Sequence, residues 1–361
     1  MMLMEVIRQA LARLREKKDD GPIDRSGKHK RLRWYFFLPR CDRTRRIIVG
    51  IATLLLSAVF LYSAFSLLSY GKDYIAAEQA SQELRQAYNE EKALEQSSTE
   101  VPTASPAPET TITNFMTPPA AGTAAPEAEA QPTPQPTAVQ AVRLEAQKYP
   151  NNPYNITSTR FQKIRQQNQD IVGWLTIDEL LDEAVVQRDN EYYLKRDYRG
   201  YHNVNGAIFM DENISLRSRP YTYMLYGHNM KTGLMFGGLR NYENQTYYHN
   251  NPFVTFDTLY EDGRYVIFAM GNVSTDPKSW RYVNWGWMTS SSVALREKAI
   301  DSLFMLSIYN RGIDVRADDQ LLLLITCVEE AEDRRVVAAR RIREDESEEE
   351  LKKKVQKIRK K

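Results

Sequence analysis

A thiol, an imidazole and a guanidinium stand out in this 361-residue sequence as groups able to do chemistry together. Cys327 ends the run Leu-Leu-Leu-Leu-Ile-Thr-Cys, an apolar strand that carries its sulfur to the strand mouth, where loops begin. The thiolate is the reactive form and an unperturbed thiol titrates near about 8.5, so such a nucleophile needs a base or cation beside it. His228 is the candidate, in Tyr-Gly-His-Asn-Met directly after an apolar segment, whereas His202 and His249 sit in polar loops. Attack on a carbonyl also needs a donor for the developing oxyanion. Arg334 and Arg335 follow Cys327 after the acidic stretch Val-Glu-Glu-Ala-Glu-Asp and open the next strand. Strand alternation points the two arginines to opposite faces, so one of them serves, and position alone does not decide which. The bland alternative is a buried inert thiol, a turn histidine and two solvated arginines.

The elements that must position these groups follow from the pattern of apolar runs. Eight short segments, Ile171–Ile177, Glu183–Gln187, Gly206–Met210, Tyr221–Tyr226, Phe253–Phe256, Tyr265–Met270, Leu321–Thr326 and Val336–Ala339, are each bounded by Gly, Asn, Asp or Pro, as strands are. Ser290–Tyr309 has the spacing of a packed helix, and Arg143–Gln169 is expected to be helical with an interruption at Tyr149–Pro153. Eight short strands with one sizeable inserted helix predict a mainly β fold, a barrel or closed sheet of about 200 residues. The last segment, 344–361, runs from acidic to basic, an order that suits the helix macrodipole, and is expected to be a solvated terminal helix.

Ahead of the barrel the composition changes three times. Ile47–Tyr70 is a run of 24 uncharged residues, long enough as a helix to span a bilayer core of roughly 30 Å. Residues 1–46 hold 14 Lys and Arg against six Asp and Glu, a net +8, while the remaining 35 basic and 41 acidic residues give −6. The positive-inside rule then places 1–46 as a cytoplasmic arm, 47–70 as a transmembrane helix and the rest outside the cell membrane. Residues 71–96, rich in Ala, Glu and Gln, are expected to form a helical spacer, and 97–140, rich in Pro, Thr and Ala, a stalk. With that topology Cys327 is the only exterior thiol and lacks an intrachain partner, a state that marks it as reactive. The overall charge of +2 excludes a dedicated nucleic-acid binder. Two cysteines and four unclustered histidines exclude a zinc site, and no phosphate loop or cofactor fingerprint is present.

From Gln169 to Ile342 the chain resembles the class B sortases, membrane-tethered cysteine transpeptidases of Gram-positive bacteria. The resemblance rests on ordered motifs: Asp170-Ile-Val-Gly-Trp-Leu, Val185-Val-Gln, Asp189-Asn-Glu-Tyr-Tyr-Leu194, Gly206-Ala-Ile-Phe-Met-Asp211, Tyr226-Gly-His-Asn-Met230, Met235-Phe, Leu324-Ile-Thr-Cys327 and Arg334-Arg-Val-Val-Ala. It implies an eight-stranded barrel with N-terminal helices and a helix before the cysteine strand, within a catalytic domain of 141–343. It further implies a Cys327, His228 and Arg334 site, with Arg335 as the fallback, and Asn190, Leu194 and Thr326 along the substrate groove. Cofactors and metals are not implied. The reaction would cleave a C-terminal sorting motif of the LPXTG or NPQTN type after its Thr through a Cys thioester. The secreted protein bearing the motif would pass to a cell-wall amine on a peptidoglycan precursor, or to a pilin lysine in a polymerising variant. Two alternatives are a tethered binding module that has lost catalysis and a papain-like hydrolase, although the cysteine of the latter opens a helix. Two departures from the family pattern are visible: Leu323 stands where the family has Thr, and the stretch between Cys327 and Arg334 is short.

Overall fold

All eight apolar segments form strands in the computed structural model, which describes residues 42–99, 142–327 and 333–361; the side chains of Cys327 and of several first-helix residues lie outside the description. The expected stalk beyond Thr99, nearly all of the arm 1–46 and residues 328–332 of the loop before Arg334 also fall outside it. The strands are β1 (Ile171–Ile177), β2 (Leu181–Val186), β3 (Ile208–Met210), β4 (Thr222–His228), β5 (Phe253–Thr258), β6 (Arg264–Ser274), β7 (Leu321–Cys327) and β8 (Asp333–Arg341). They close into a barrel in the order β1-β2-β3-β4-β7-β8-β6-β5, with β1 returning to β5. Most neighbours are antiparallel, but β2 with β3 and β4 with β7 are parallel and so require crossover connections.

The crossover from β4 to β7 carries β5, β6 and the helices α3 (Gln245–Asn250), α4 (Trp285–Met288) and α5 (Val293–Leu306). α5 lies on β6, where Phe304 packs its ring 5.1 Å from Phe268. Its Arg296 is fully buried, donating from Nη1 to Thr222 Oγ1 at 2.9 Å and from Nη2 to Asp319 O at 3.0 Å, which ties the helix to the starts of β4 and β7. Leu321–Ile325 of β7 have no exposed surface. The 3-10 segment Phe236–Glu243 covers β4 and β7, so β7 is apolar along its length instead of alternating.

Two regions depart from the sequence expectation. Within Arg143–Gln169 the α-helix is only α2 (Thr159–Ile164). Residues 143–147 are extended, bridging Arg143 to Ser292 and Gln147 to Arg219, because backbone partners such as Ser291 O, 2.7 Å from Leu144 N, outcompete a short helix interrupted by Pro150 and Pro153. The terminal helix α6 (Glu348–Lys357) is capped by Ser347, with Glu348–Glu350 in its first turn and Lys354 and Lys357 in its last. It is docked and not simply solvated: Leu351, Val355 and Ile358 are buried.

The chain divides into two compact units, residues 1–71 and 72–361. Helix α1 (Asp42–Thr99) contributes to each. In the first unit its described apolar side chains stand largely exposed, Leu54 and Phe65 both at 72%. With the side chains of Ile48, Val49, Leu67, Ser69 and Tyr70 outside the description, no helix among the described residues is long and apolar enough to cross a membrane. In the second unit, Lys72–Thr99 is helical as expected, and its Leu84 and Tyr88 join the core of the barrel.

Candidate active site at the ends of β4, β7 and β8

Parallel pairing of β4 with β7 runs from Thr222↔Leu321 to His228↔Cys327, so the two chemistry-bearing residues are register partners at the final rung. They are 99 positions apart in the chain, and the ladder alone brings their backbones together. Gly227 precedes the histidine because a Cβ there would meet Ile208 Cδ1 at 2.6 Å.

His228 is half-buried, and its Nε2 lies 2.6 Å from the carbonyl oxygen of Leu194. A carbonyl only accepts, so Nε2 carries the proton of this bond and Nδ1 is left as the nitrogen that exchanges a proton. Leu194 belongs to a 3-10 turn, Tyr192–Lys195, whose start is fixed by Asp189, accepting from the backbone N–H groups of Glu191 and Tyr192. Those two hydrogen bonds hold the Asp189 carboxyl below its ordinary range. Gly206 closes the pocket behind the imidazole: its φ is +63°, and a Cβ would lie 2.7 Å from Leu194 O and 3.0 Å from His228 Cδ2. Leu194 was singled out in the sequence, but its carbonyl as the partner of His228 was not, since a backbone group leaves no signature in residue type. The glycine at 206, which takes a left-handed φ after Asn205, was the available signal.

The two arginines separate clearly. Arg334 Nη1 donates to the carbonyl of Thr326, at 3.3 Å, one residue before Cys327. Arg335 points elsewhere and pairs with Glu243 through Nη2 and Oε1 at 2.5 Å. Thr326 is fully buried, and its hydroxyl accepts from the Arg335 backbone N–H at 2.9 Å, which locks β7 to β8 at the site. Asp333, just ahead of Arg334, receives a two-pronged ion pair from Arg281 at 2.7 and 2.9 Å. Asn190 is held just past the end of β3: its amide donates to Asp211 at 3.3 Å and its oxygen accepts from Glu212 N at 3.0 Å. Tyr226 reaches the same Asp211 carboxylate at 3.1 Å, so the β3–β4 end and the Asn190 loop form one network. Among the described residues no group of three or more His, Cys, Asp and Glu is arranged to hold a metal ion.

No family model matches the sequence. Sortase B of Listeria monocytogenes is 29% identical over 161 residues, 44% of this chain and 63% of that protein. Sortase B of Staphylococcus aureus is 28% identical over 165 residues, 45% of this chain and 65% of that protein. The chain thus spans a little under two thirds of the length of these relatives. Among solved structures, a Bacillus anthracis protein described as similar to sortase B is 31% identical, covering 55% of this chain and 88% of that one with a TM-score of 0.47. A Staphylococcus aureus sortase B–substrate complex is 26% identical, covering 53% and 88% with a TM-score of 0.46. An eight-stranded barrel whose β4 and β7 end on His228 and Cys327, together with sequence kinship to two curated sortase B proteins, makes the chain a relative of the class B sortases.

Proposed function

We propose that residues 141–343 form a cysteine transpeptidase domain that joins secreted proteins to an amine of the cell wall. The observation that carries this reading is the register pairing of His228 with Cys327, with Arg334 bonded to the carbonyl next to the thiol residue. In the proposed reaction Nδ1 of His228 takes the Cys327 thiol proton as the sulfur attacks the Thr carbonyl of a C-terminal sorting motif of the LPXTG or NPQTN type. Arg334 stabilises the oxyanion, an electrostatic contribution of the kind that dominates acyl transfer. The C–N bond breaks as Nδ1 of His228 protonates the departing amine, while Leu194 O holds the opposite ring edge. The thioester is then opened by a primary amine from a peptidoglycan precursor, whose proton passes through His228 to the departing Cys327 sulfur as the new amide forms.

Asn190, Leu194 and Thr326 are proposed to line the groove for the motif. For Asn190 and Leu194 this is supported by their place in the loop that packs on His228; for Thr326 the support is its carbonyl, since its hydroxyl is engaged by β8. We further propose that 47–70 anchors the protein in the cell membrane as a single span, with 1–46 cytoplasmic and the barrel outside. The uncharged run, the basic residues before it and the exposure of its described apolar side chains support that topology.

The deciding experiment incubates residues 72–361 with a panel of sorting-motif peptides and reads intact mass, with Cys327→Ala as control. An adduct on Cys327 that ends at the motif Thr establishes the transpeptidase and names its motif. A panel without adducts, with Cys327 also inert to an alkylating reagent in the folded protein, rejects it in favour of a binding module.

A further inference from the structure

We propose that Arg281 is a positioning residue for Arg334: its two-pronged ion pair with Asp333 pins the overhanging start of β8 and neutralises the carboxylate beside the oxyanion donor. The inference rests on the transpeptidase reading, in which Arg334 stabilises the oxyanion, and Arg281 acts through Arg334.

The start of β8 is held on one side only by a strand ladder. Pairing with β7 stops at Ile325↔Val336, whereas β6 continues along β8 through Asn272↔Arg335 and Val273↔Arg334 to Ser274↔Asp333. Residues 333–335 therefore overhang the ladder of the cysteine strand. Thr326 reaches them from that strand, its hydroxyl accepting from Arg335 N at 2.9 Å and its carbonyl from Arg334 Nη1 at 3.3 Å. Strand ends with few ladder bonds are the first to open.

Arg281 reinforces the β6 side twice. Its carbonyl accepts from Ser274 N at 3.0 Å, and Ser274 forms a parallel bridge with Tyr282, so the chain beyond β6 closes back on the strand. Within that loop Asp276 accepts from Lys278 N at 2.9 Å through its side chain and from Ser279 N at 3.0 Å through its carbonyl. From this fixed backbone the Arg281 guanidinium donates to both oxygens of Asp333 at 2.7 and 2.9 Å. Asp333 is thus the register partner of Ser274 and the ion-pair partner of the residue that holds Ser274. Alternation puts Asp333 and Arg334 on opposite faces, so the pair anchors the strand without engaging the Arg334 guanidinium. It also masks a charge: a free carboxylate one residue from the oxyanion donor would oppose the negative charge that forms during attack. Both side chains are a third or more exposed, at 35% and 40%, so the fold depends little on the pair. Catalysis depends on it steeply, since a displacement of about 1 Å can cost about 100-fold in rate.

The test uses the full chain in detergent and compares the parent with Arg281→Ala, Asp333→Ala and the double variant. Arg281→Ala is expected to lower kcat for peptide transfer by about 10–100-fold, with KM and the thermal midpoint at parent values. Asp333→Ala should lose less, because the opposing charge leaves with the pin. The double variant should match Asp333→Ala, since Arg281 then has nothing to hold. The Arg335 amide, bonded to Thr326, is expected to exchange its hydrogen several-fold faster in all three. A parent kcat in Arg281→Ala, a loss confined to KM, additive losses in the double variant or unchanged Arg335 exchange each overturns the proposal. A parent inactive on every peptide defeats the transpeptidase reading alone. The exchange measurement needs no catalysis: faster exchange then upholds the pin on β8, and unchanged exchange overturns it.

Discussion

The place where Lys72–Thr99 of helix α1 packs on the barrel and the strand ends at His228 and Cys327 handle polar groups in opposite ways. Under the helix, charged groups such as Asp257 and Arg160 are buried and have several partners. Asp257, 1% exposed, accepts from Tyr88, Lys92 and the backbone of Gly263, while Arg160 is shared between Glu95 and Asp262. Burial and the Asp257 charge push the Tyr88 hydroxyl far above its ordinary range, so it remains a donor at any working pH. At the strand ends, His228 and Arg334 are each held through one backbone carbonyl, Leu194 O and Thr326 O. A side chain fixed at one edge keeps its other edge for a reacting atom. The two places therefore use polar groups differently, and changes at each should move different observables.

The sharpest separation is expected at the site itself. Cys327→Ala should abolish the acyl adduct, and His228→Asn should lower peptide transfer by about 10²–10⁴-fold, with the thermal midpoint unchanged. Under helix α1, Leu84→Ala should cost about 2–5 kcal/mol in urea unfolding while kcat/KM on free peptide stays at the parent value. A large activity loss there would merge the two regions into one. Arg334→Lys should reduce turnover by about 10²–10³-fold, whereas Arg335→Lys, altering a partly exposed pair with Glu243, should change stability by less than about 1 kcal/mol and turnover little. If the two arginines exchange phenotypes, the assignment of the oxyanion donor is reversed.

Gly206→Ala is the one substitution expected to register on both scales. It forces a side chain into φ +63° against Leu194 O and the imidazole, costing about 1–3 kcal/mol and lowering kcat through a displaced His228. The smallest effect concerns acid stability. Burial alone would raise Glu346, but hydrogen bonds from Arg340 and from the Arg343 backbone outweigh it and hold the carboxyl below its ordinary 4.5. A depressed folded pKa means the unfolded chain binds more protons as pH falls from about 4.5 toward the lowered value, so stability drops across that window. Glu346→Gln should flatten that part of the acid unfolding curve and leave activity near neutrality unaltered.

The barrel was legible because each strand is an apolar run cut off by turn residues, and every predicted segment overlaps an observed strand. His228 was readable as the candidate partner of Cys327 from its turn context and the family motifs, but the register that pairs them was not, because nothing local to either residue reports a strand neighbour 99 positions away. Between Arg334 and Arg335 position alone did not decide and only the family motif favoured Arg334, since Glu243, which pairs with Arg335, lies 92 positions upstream. The packed face of α1 was harder still, because Ala80, Leu84 and Tyr88 stand among Glu, Gln and apolar residues that stay exposed, such as Ile75 and Leu94, so no clean stripe marks the buried face. Arg143–Tyr149 misled in the other direction, with helical composition spent on bridges to Ser292 and Arg219.

The parallel ladder of β4 and β7 also dictates when the site comes into being. A ribosome delivers His228 long before Cys327, and the β-strands made in between pair elsewhere in the barrel. Non-local pairings of this kind close late, after the loop entropy of the intervening chain has been overcome. A growing polypeptide that stops short of Leu321 therefore displays an unpaired β4 edge next to its histidine, a surface open to intermolecular strand addition. Truncated products should accumulate as aggregates and never as partly active enzyme, because Cys327 arrives on β7 and the barrel still needs β8 after it to close.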